Sequence, residues 1–183
     1  MLTPEWSNDV LKFWFAESVA EYWFDKDPAL DETVRRRFLA LYEALANCNN
    51  DLLLADARTA LAAILVFDQM PRNMFRDTPR AFATDERALS IAQEAIDRGF
   101  ESGLTKDERM FLYLPFEHAE DAAAQARSVV LIATLDDPEL TKWAKEHRRI
   151  IDRFGRFPHR NRMLGRTSTP EETLFLTQPG SCF

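Results

Sequence analysis

The chain has 183 residues, 46% of them apolar, with 14 Phe, 4 Trp and a formal net charge of −7. That length and aromatic content exclude a disordered chain and suffice for a core without cross-links, so one domain over residues 1–183 is expected. Five Gly and nine Pro are too few for a turn-rich all-β fold.

The predicted elements are helical nearly throughout. Thr3-Pro4 opens a first helix whose Trp6, Val10, Phe13 and Trp14 fall on one stripe. Ser18 caps a short second helix containing Tyr22, Trp23 and Phe24. Asp31 caps a third, with Val34, Phe38, Leu41, Tyr42 and Leu45 on its inner face. The fourth, residues 56–69, is apolar all round through ALAAILVF and reads as the central buried helix. Thr84 or Asp85 begins a fifth that Gly99 stops. Thr105 with Glu108 forms a capping box for a sixth, which Pro115 is expected to end. A seventh covers residues 119–135. Asp137-Pro138 opens the eighth, a long apolar stripe of Leu140, Trp143, Ala144, His147, Ile150, Ile151 and Phe154 halted by Gly155. Thr169-Pro170-Glu171-Glu172 caps a ninth. About nine helices joined by short links predict an all-α fold of antiparallel helix pairs stacked side by side.

Two cysteines, Cys48 and Cys182, are too few for a disulfide framework, and MLTPEWSNDV has no secretory character. The longest apolar run, residues 60–67, is far short of the roughly 20 residues of a membrane span. A cytoplasmic protein with no membrane partner is therefore expected, and the sequence leaves its oligomeric state open. Charge is unevenly spread. Residues 142–166 hold nine Lys/Arg against two acids, and the remainder holds 14 basic against 28 acidic residues. This cationic island on an acidic body suits a small anion better than a long polyanion, which argues against a nucleic-acid partner.

Three segments are rich in chemistry-bearing side chains: FDQMPRNMFR at 67–76, YLPFEHAED at 113–121 and RFGRFPHRNRMLGR at 153–166. If the helices alternate in direction, all three leave the core at one end of the stack. Arg72, Arg156, Arg160 and Arg166 are then candidates for a clamp on a phosphate or carboxylate, because a guanidinium binds such groups in a bidentate fork. Asp68, Gln69, Asn73 and Asn161 would add hydrogen bonds. Glu117, His118, Glu120 and His159 are candidates for general acid–base work near neutral pH. Against this stands a purely structural role, with the carboxylates paired to the arginines. His147, on an apolar stripe, reads as a core histidine bonded to a carboxylate or a carbonyl. No metal-ligand spacing, phosphate-binding glycine loop or nucleophile signature is present, so no metal or cofactor is expected.

FDQMPRNMFR, LPFEHAED with Gln125, and HRRIIDRFGRFPHRNRMLGRTSTPEE resemble the signatures of the domain-of-unknown-function family numbered 924, as do FWF and WFDKDPALDETVRRRF nearer the start. The resemblance spans essentially the whole chain. It departs at Met70, where the family usually has Phe, and at Ala119, where it usually has Ser. It implies an all-α, tetratricopeptide-like right-handed superhelix and brings no established activity. The expected function is a polar pocket for a small anionic metabolite; the sequence leaves open whether the protein is an enzyme, and hydrolysis or proton transfer is the chemistry these side chains would support if it turns over. The alternative is a tetratricopeptide-like module that binds a peptide, its polar motifs serving only as a structural lock.

Overall fold

The computed structural model describes residues 5–181, and those residues form helices and connecting turns with no strand. The expected helix start at Thr3-Pro4 and the second cysteine, Cys182, lie outside the described residues. The all-α class is as expected. No helix among the described residues is long and apolar enough to cross a membrane. The chain divides into two compact units. One runs to Arg76 and resumes over Arg80–Pro115; the other is Asp77–Pro79 with the chain from Phe116 onward.

The first unit contains α1 (Trp6–Trp14), α2 (Glu17–Ala20), α3 (Pro28–Leu45), α4 (Asn50–Leu53) and α5 (Ala57–Ile64). A π turn over Leu65–Gln69 leads into α6 (Met70–Met74), followed by α7 (Asp85–Asp97). The apolar α5 packs against both α1 and α7, and α6 packs against α3. Ala60 through Phe67 are wholly inaccessible, so the expected central helix is central in this unit. Each fully buried Leu, Ile or Phe there contributes about 1.5–3 kcal/mol relative to exposure. Trp23 donates from Nε1 to the Trp14 carbonyl at 2.9 Å and meets Phe111 edge-on. It does so from a turn, because α2 stops at Ala20 rather than carrying Tyr22–Phe24 in a helix.

Two boundaries differ from expectation for an identifiable reason. Asp27, not Asp31, caps α3, accepting from the Leu30 N–H at 2.6 Å with Pro28 in the first turn. Asp31 is taken instead by Arg76, whose Nε and Nη2 both donate at 2.7 Å, and by Asn73 Nδ2 at 2.8 Å. The second is the fourth predicted helix, which does not stop at Gln69 but widens into the π turn and continues through Pro71. Proline lacks the N–H that the Phe67 carbonyl would otherwise accept, and the wide turn eases the clash of its ring with the preceding turn. Thr84 Oγ1 fills the vacancy, donating to the Phe67 carbonyl at 2.6 Å.

α8 (Lys106–His118) begins with the expected reciprocal cap between Thr105 and Glu108. It runs through Pro115 rather than ending there, and its last turn belongs to the second unit. The second unit then forms α9 (Ala122–Ala133) and α10 (Pro138–Phe154), an antiparallel hairpin joined by a short link. Asp121 and Asp137 cap these two helices. Gly155 ends α10 with φ 67°, a left-handed conformation that costs glycine nothing. A 3-10 turn (Pro158–Arg160) and α11 (Pro170–Phe175) complete the unit. Its small core is Ile150, Ile151, Phe157 and Phe175, with Phe154 packed against them.

Candidate functional site

The first signature sits on the π turn and α6. Asp68 is completely buried. It accepts from Gln69 Nε2 at 2.5 Å and lies 3.5 Å from Arg72 Nη1. Arg72 also donates to the Asp68 carbonyl and closes a two-pronged fork on Asp85 at 3.0 and 3.1 Å. Burial opposes the Arg72 charge, but the Asp68 and Asp85 carboxylates outweigh it and hold the guanidinium's pKa above its ordinary value. Asn73 joins the Asp31–Arg76 pair. Asp68, Gln69, Arg72 and Asn73 therefore tie the π turn and α6 to α3 and to the start of α7.

The other eight candidates lie in the second unit, where the break after Gly155 brings the chain back over its own helices. Three networks can be traced there. In the first, Arg156 grips both oxygens of Glu172 at 2.7 and 2.8 Å and donates to the Thr167 carbonyl at 3.0 Å. Glu172 is 2% exposed, and Asn161 Nδ2 and the Thr169 N–H also donate to it. The Arg156 guanidinium beside it is the main reason its carboxyl is lowered to about 2, with the Thr169 N–H assisting against burial.

In the second, Arg166 closes a fork on Glu120 at 2.5 and 2.9 Å, and the Phe157 N–H donates to Glu120 Oε1 at 2.7 Å. Burial works against the Glu120 charge, but these donors keep its pKa below the usual carboxylate value. Arg166 Nε also donates to Asn161 Oδ1 at 2.9 Å, which links the two forks through one asparagine.

The third holds all three histidines of the chain. His147 Nδ1 is 2.9 Å from the Trp143 carbonyl and 3.2 Å from Glu117 Oε1. Because a carbonyl only accepts, Nδ1 carries the proton and Nε2 holds the lone pair. The Phe157 ring meets His147 edge-on at 5.7 Å and tilts against His159 at 5.7 Å. Arg160 lies over the same phenyl ring at 4.6 Å, and the His118 ring is 6.5 Å from that of His147. Burial drives the His147 pKa down to about 3, only partly offset by the Trp143 carbonyl, and His118, Arg160 and His159 each push in the same direction. Glu117, His118, His159 and Arg160 are thus gathered round one neutral imidazole.

The sequence reading did not assign several residues that prove structural partners. Glu172 was visible as half of a capping box, and it doubles as the Arg156 acceptor. Asp85 was visible as a helix start. Gln125 is fully buried and donates from Nε2 to the carbonyls of Phe116, Glu117 and Ala119 at 3.4, 2.6 and 2.9 Å. It therefore fastens the end of α8 that carries Glu117 and His118, satisfying carbonyls that a helix terminus leaves open. Nothing local in the sequence marks such a long-range cap.

Among the described residues no group of three or more His, Cys, Asp or Glu is placed to hold a metal ion. A shallow surface depression of about 510 Å³ lies at the link between α9 and α10, lined by Asp136, Asp137, Thr141, Lys142 and Glu146 among others, and includes none of the candidates.

Over residues 10–180 the chain matches a family described as bacterial protein of unknown function. Among solved structures it is similar to a protein of unknown function from Agrobacterium tumefaciens, at 45% identity and a TM-score of 0.88, covering 93% of this chain and 96% of that one. No curated protein matches the sequence.

Proposed function

The chain belongs to this family of unknown function, DUF924, and we propose that its second unit binds a small anionic metabolite at His118, His159 and Arg160. The observation that carries this reading is the gathering of His118, His159 and Arg160 near one buried imidazole, His147, which itself lies 3.2 Å from the buried Glu117 carboxylate. The local potential is positive enough that these three neighbours help to strip the proton from His147. A phosphate or carboxylate answers such a potential, and Glu117 with neutral His147 supplies proton transfer or hydrolysis on the bound molecule. Arg156, Arg166, Glu120 and Asn161 serve as the frame, their forks being closed on one another and on Glu172. Asp68, Gln69, Arg72 and Asn73 do the same for the π turn.

A thermal-shift screen with phosphate- and carboxylate-bearing metabolites tests the reading. A ligand at about 100 times its Kd adds about 2.7 kcal/mol, or a rise in Tm of about 5–10 °C. Arg160→Ala and His159→Ala should abolish that rise. The competing reading, a tetratricopeptide-like peptide-binding module in which every polar motif is a lock, draws support from the closed Arg72, Arg156 and Arg166 forks. It gains if no metabolite shifts the wild-type Tm, or if the shift survives both substitutions.

A further inference from the structure

We propose that the turn following α2 is a docking surface for a basic, arginine-bearing segment of a partner protein, with Tyr22 and Phe24 as its aromatic floor and Glu21, Asp25 and Asp27 as its acidic rim. Phe24 is 67% exposed and Tyr22 36%, and apart from these two only Trp143 among the described aromatic residues is exposed. The exposure is not looseness. The Phe24 ring lies at 10° to that of Phe111 with centroids 6.4 Å apart, and Phe111 is wholly buried. Phe15 and Trp23 meet Phe111 edge-on at 5.7 and 4.8 Å, and Trp23 is pinned to the Trp14 carbonyl. An aromatic ring already fixed from beneath loses little freedom when a partner covers it, and an exposed apolar surface rimmed by charge marks an interaction site.

The rim sets the charge of the partner. Residues 17–27 hold four acids against one lysine. Glu21 accepts a hydrogen bond from the Tyr22 hydroxyl, and with Asp27 and Asp25 it holds the phenol above its ordinary pKa, so all three carboxylates act on one hydroxyl. Asp31, one turn beyond Asp27, is answered by Arg76, whereas among the described residues no cation is paired with Glu21, Asp25 or Asp27. An apolar or acidic partner would bury those charges unanswered, at a cost. An arginine answers both halves of the surface at once. Its guanidinium plane lies flat on the open Phe24 ring, and its fork reaches the carboxylates of the rim. This surface belongs to the first unit and does not depend on whether the second unit binds an anion.

Fluorescence polarisation of a labelled peptide of alternating arginine and glycine, titrated with the full chain, tests this. Binding is expected, weakening as salt rises from about 20 to about 200 mM. Phe24→Leu keeps an apolar side chain but removes the ring face, and Asp25→Asn removes one rim charge at constant shape. Each should raise Kd about three- to tenfold. Glu86→Gln, at an exposed acid in the first turn of α7, should leave Kd unchanged. No binding at low salt, or a Kd that Phe24→Leu leaves unmoved, overturns the proposal. So does an equal loss with Glu86→Gln, the mark of diffuse attraction to an acidic protein. Sedimentation of the chain alone adds a further check, since self-association that Phe24→Leu abolishes would make a second copy the occupant and overturn the proposal too.

Discussion

The Thr84 hydroxyl shows how one atom can license a break in the backbone rules. It accounts for the Phe67 carbonyl left open by Pro71, in a place where Phe67 is wholly inaccessible. Thr84→Val keeps the shape and removes the donor, so urea unfolding should show a loss of about 1–3 kcal/mol, with Thr84→Ser close to wild type. Equal stability of the valine and wild-type proteins would mean that the carbonyl finds another donor. His147 makes a second residue-scale expectation. Its pKa is lowered on folding from 6.5 to about 3, so the unfolded chain binds a proton that the native state refuses. Stability is then full above about pH 6.5 and falls as pH drops towards 3. Nitrogen NMR should find this imidazole neutral and protonated at Nδ1 at pH 5, where an unperturbed histidine is charged. An imidazolium signal at that pH would contradict the burial argument.

At the scale of elements, start signals were more legible than stop signals. Asp56, Asp121, Asp137 and the Thr105–Glu108 and Thr169–Glu172 boxes all act as N-terminal caps, because a cap is read from a few consecutive residues. Gly99 and Gly155 mark ends for the same local reason. Proline was misleading twice. Pro71 and Pro115 are carried through, and at Pro71 the open carbonyl is met by a residue 17 positions away from it, which no window of sequence exposes. The candidate site follows the same division. Glu120 was named as a partner for the arginines and has Arg166, whereas Asp85 and Glu172 were read only as helix-start residues. The link from α10 to α11 offers a direct check, since Arg156 and Asn161 both end on Glu172. Glu172→Gln should cost about 2–4 kcal/mol at pH 7 in chemical denaturation and less as pH falls below about 4.5, where the wild-type carboxylate begins to lose its advantage. A penalty independent of pH would show that the contact acts through shape alone.

For the molecule as a whole, charge and histidine placement divide the chain. All three histidines lie in the second unit, two of them against Phe157 and His118 beside His147, and the first unit contains none. Between about pH 6.5 and 5 an ordinary histidine takes up a proton that His147 is held from accepting, so a cost of acid falls on the unit with the buried imidazole. Hydrogen exchange read by mass spectrometry at pH 5 should therefore show α10 losing protection relative to pH 7.5, after correction for intrinsic rates, while α5 and α7 keep theirs. Uniform loss across both units would place the acid sensitivity elsewhere. The cationic island also changes meaning at this scale. Arg148 and Arg149 are paired with Asp152 and Glu146 of the island itself, and Lys142 and Arg153 with Glu139 and Glu171 outside it, so part of the positive charge is already answered along α10 and α11. Exposed pairs of this kind contribute little to stability, but they leave less net field for a polyanion than the bare count of arginines implies.

The π turn at Leu65–Gln69 carries a consequence for how this chain tolerates change in length. Its closing bond runs from the Met70 N–H to the Leu65 carbonyl, one residue more than an α-helical ring encloses. The turn is in effect a single-residue insertion absorbed without unfolding the helix around it. Deleting one residue there should restore the ordinary α-helical ring and leave the helix on either side in register. Arg72 would keep Asp85, and Asn73 would keep Asp31. A deletion at this point should thus be tolerated better than one within α5, where no wide turn takes up the loss and everything after it rotates by about 100°, a contrast that circular dichroism melts of the two deletion variants can measure.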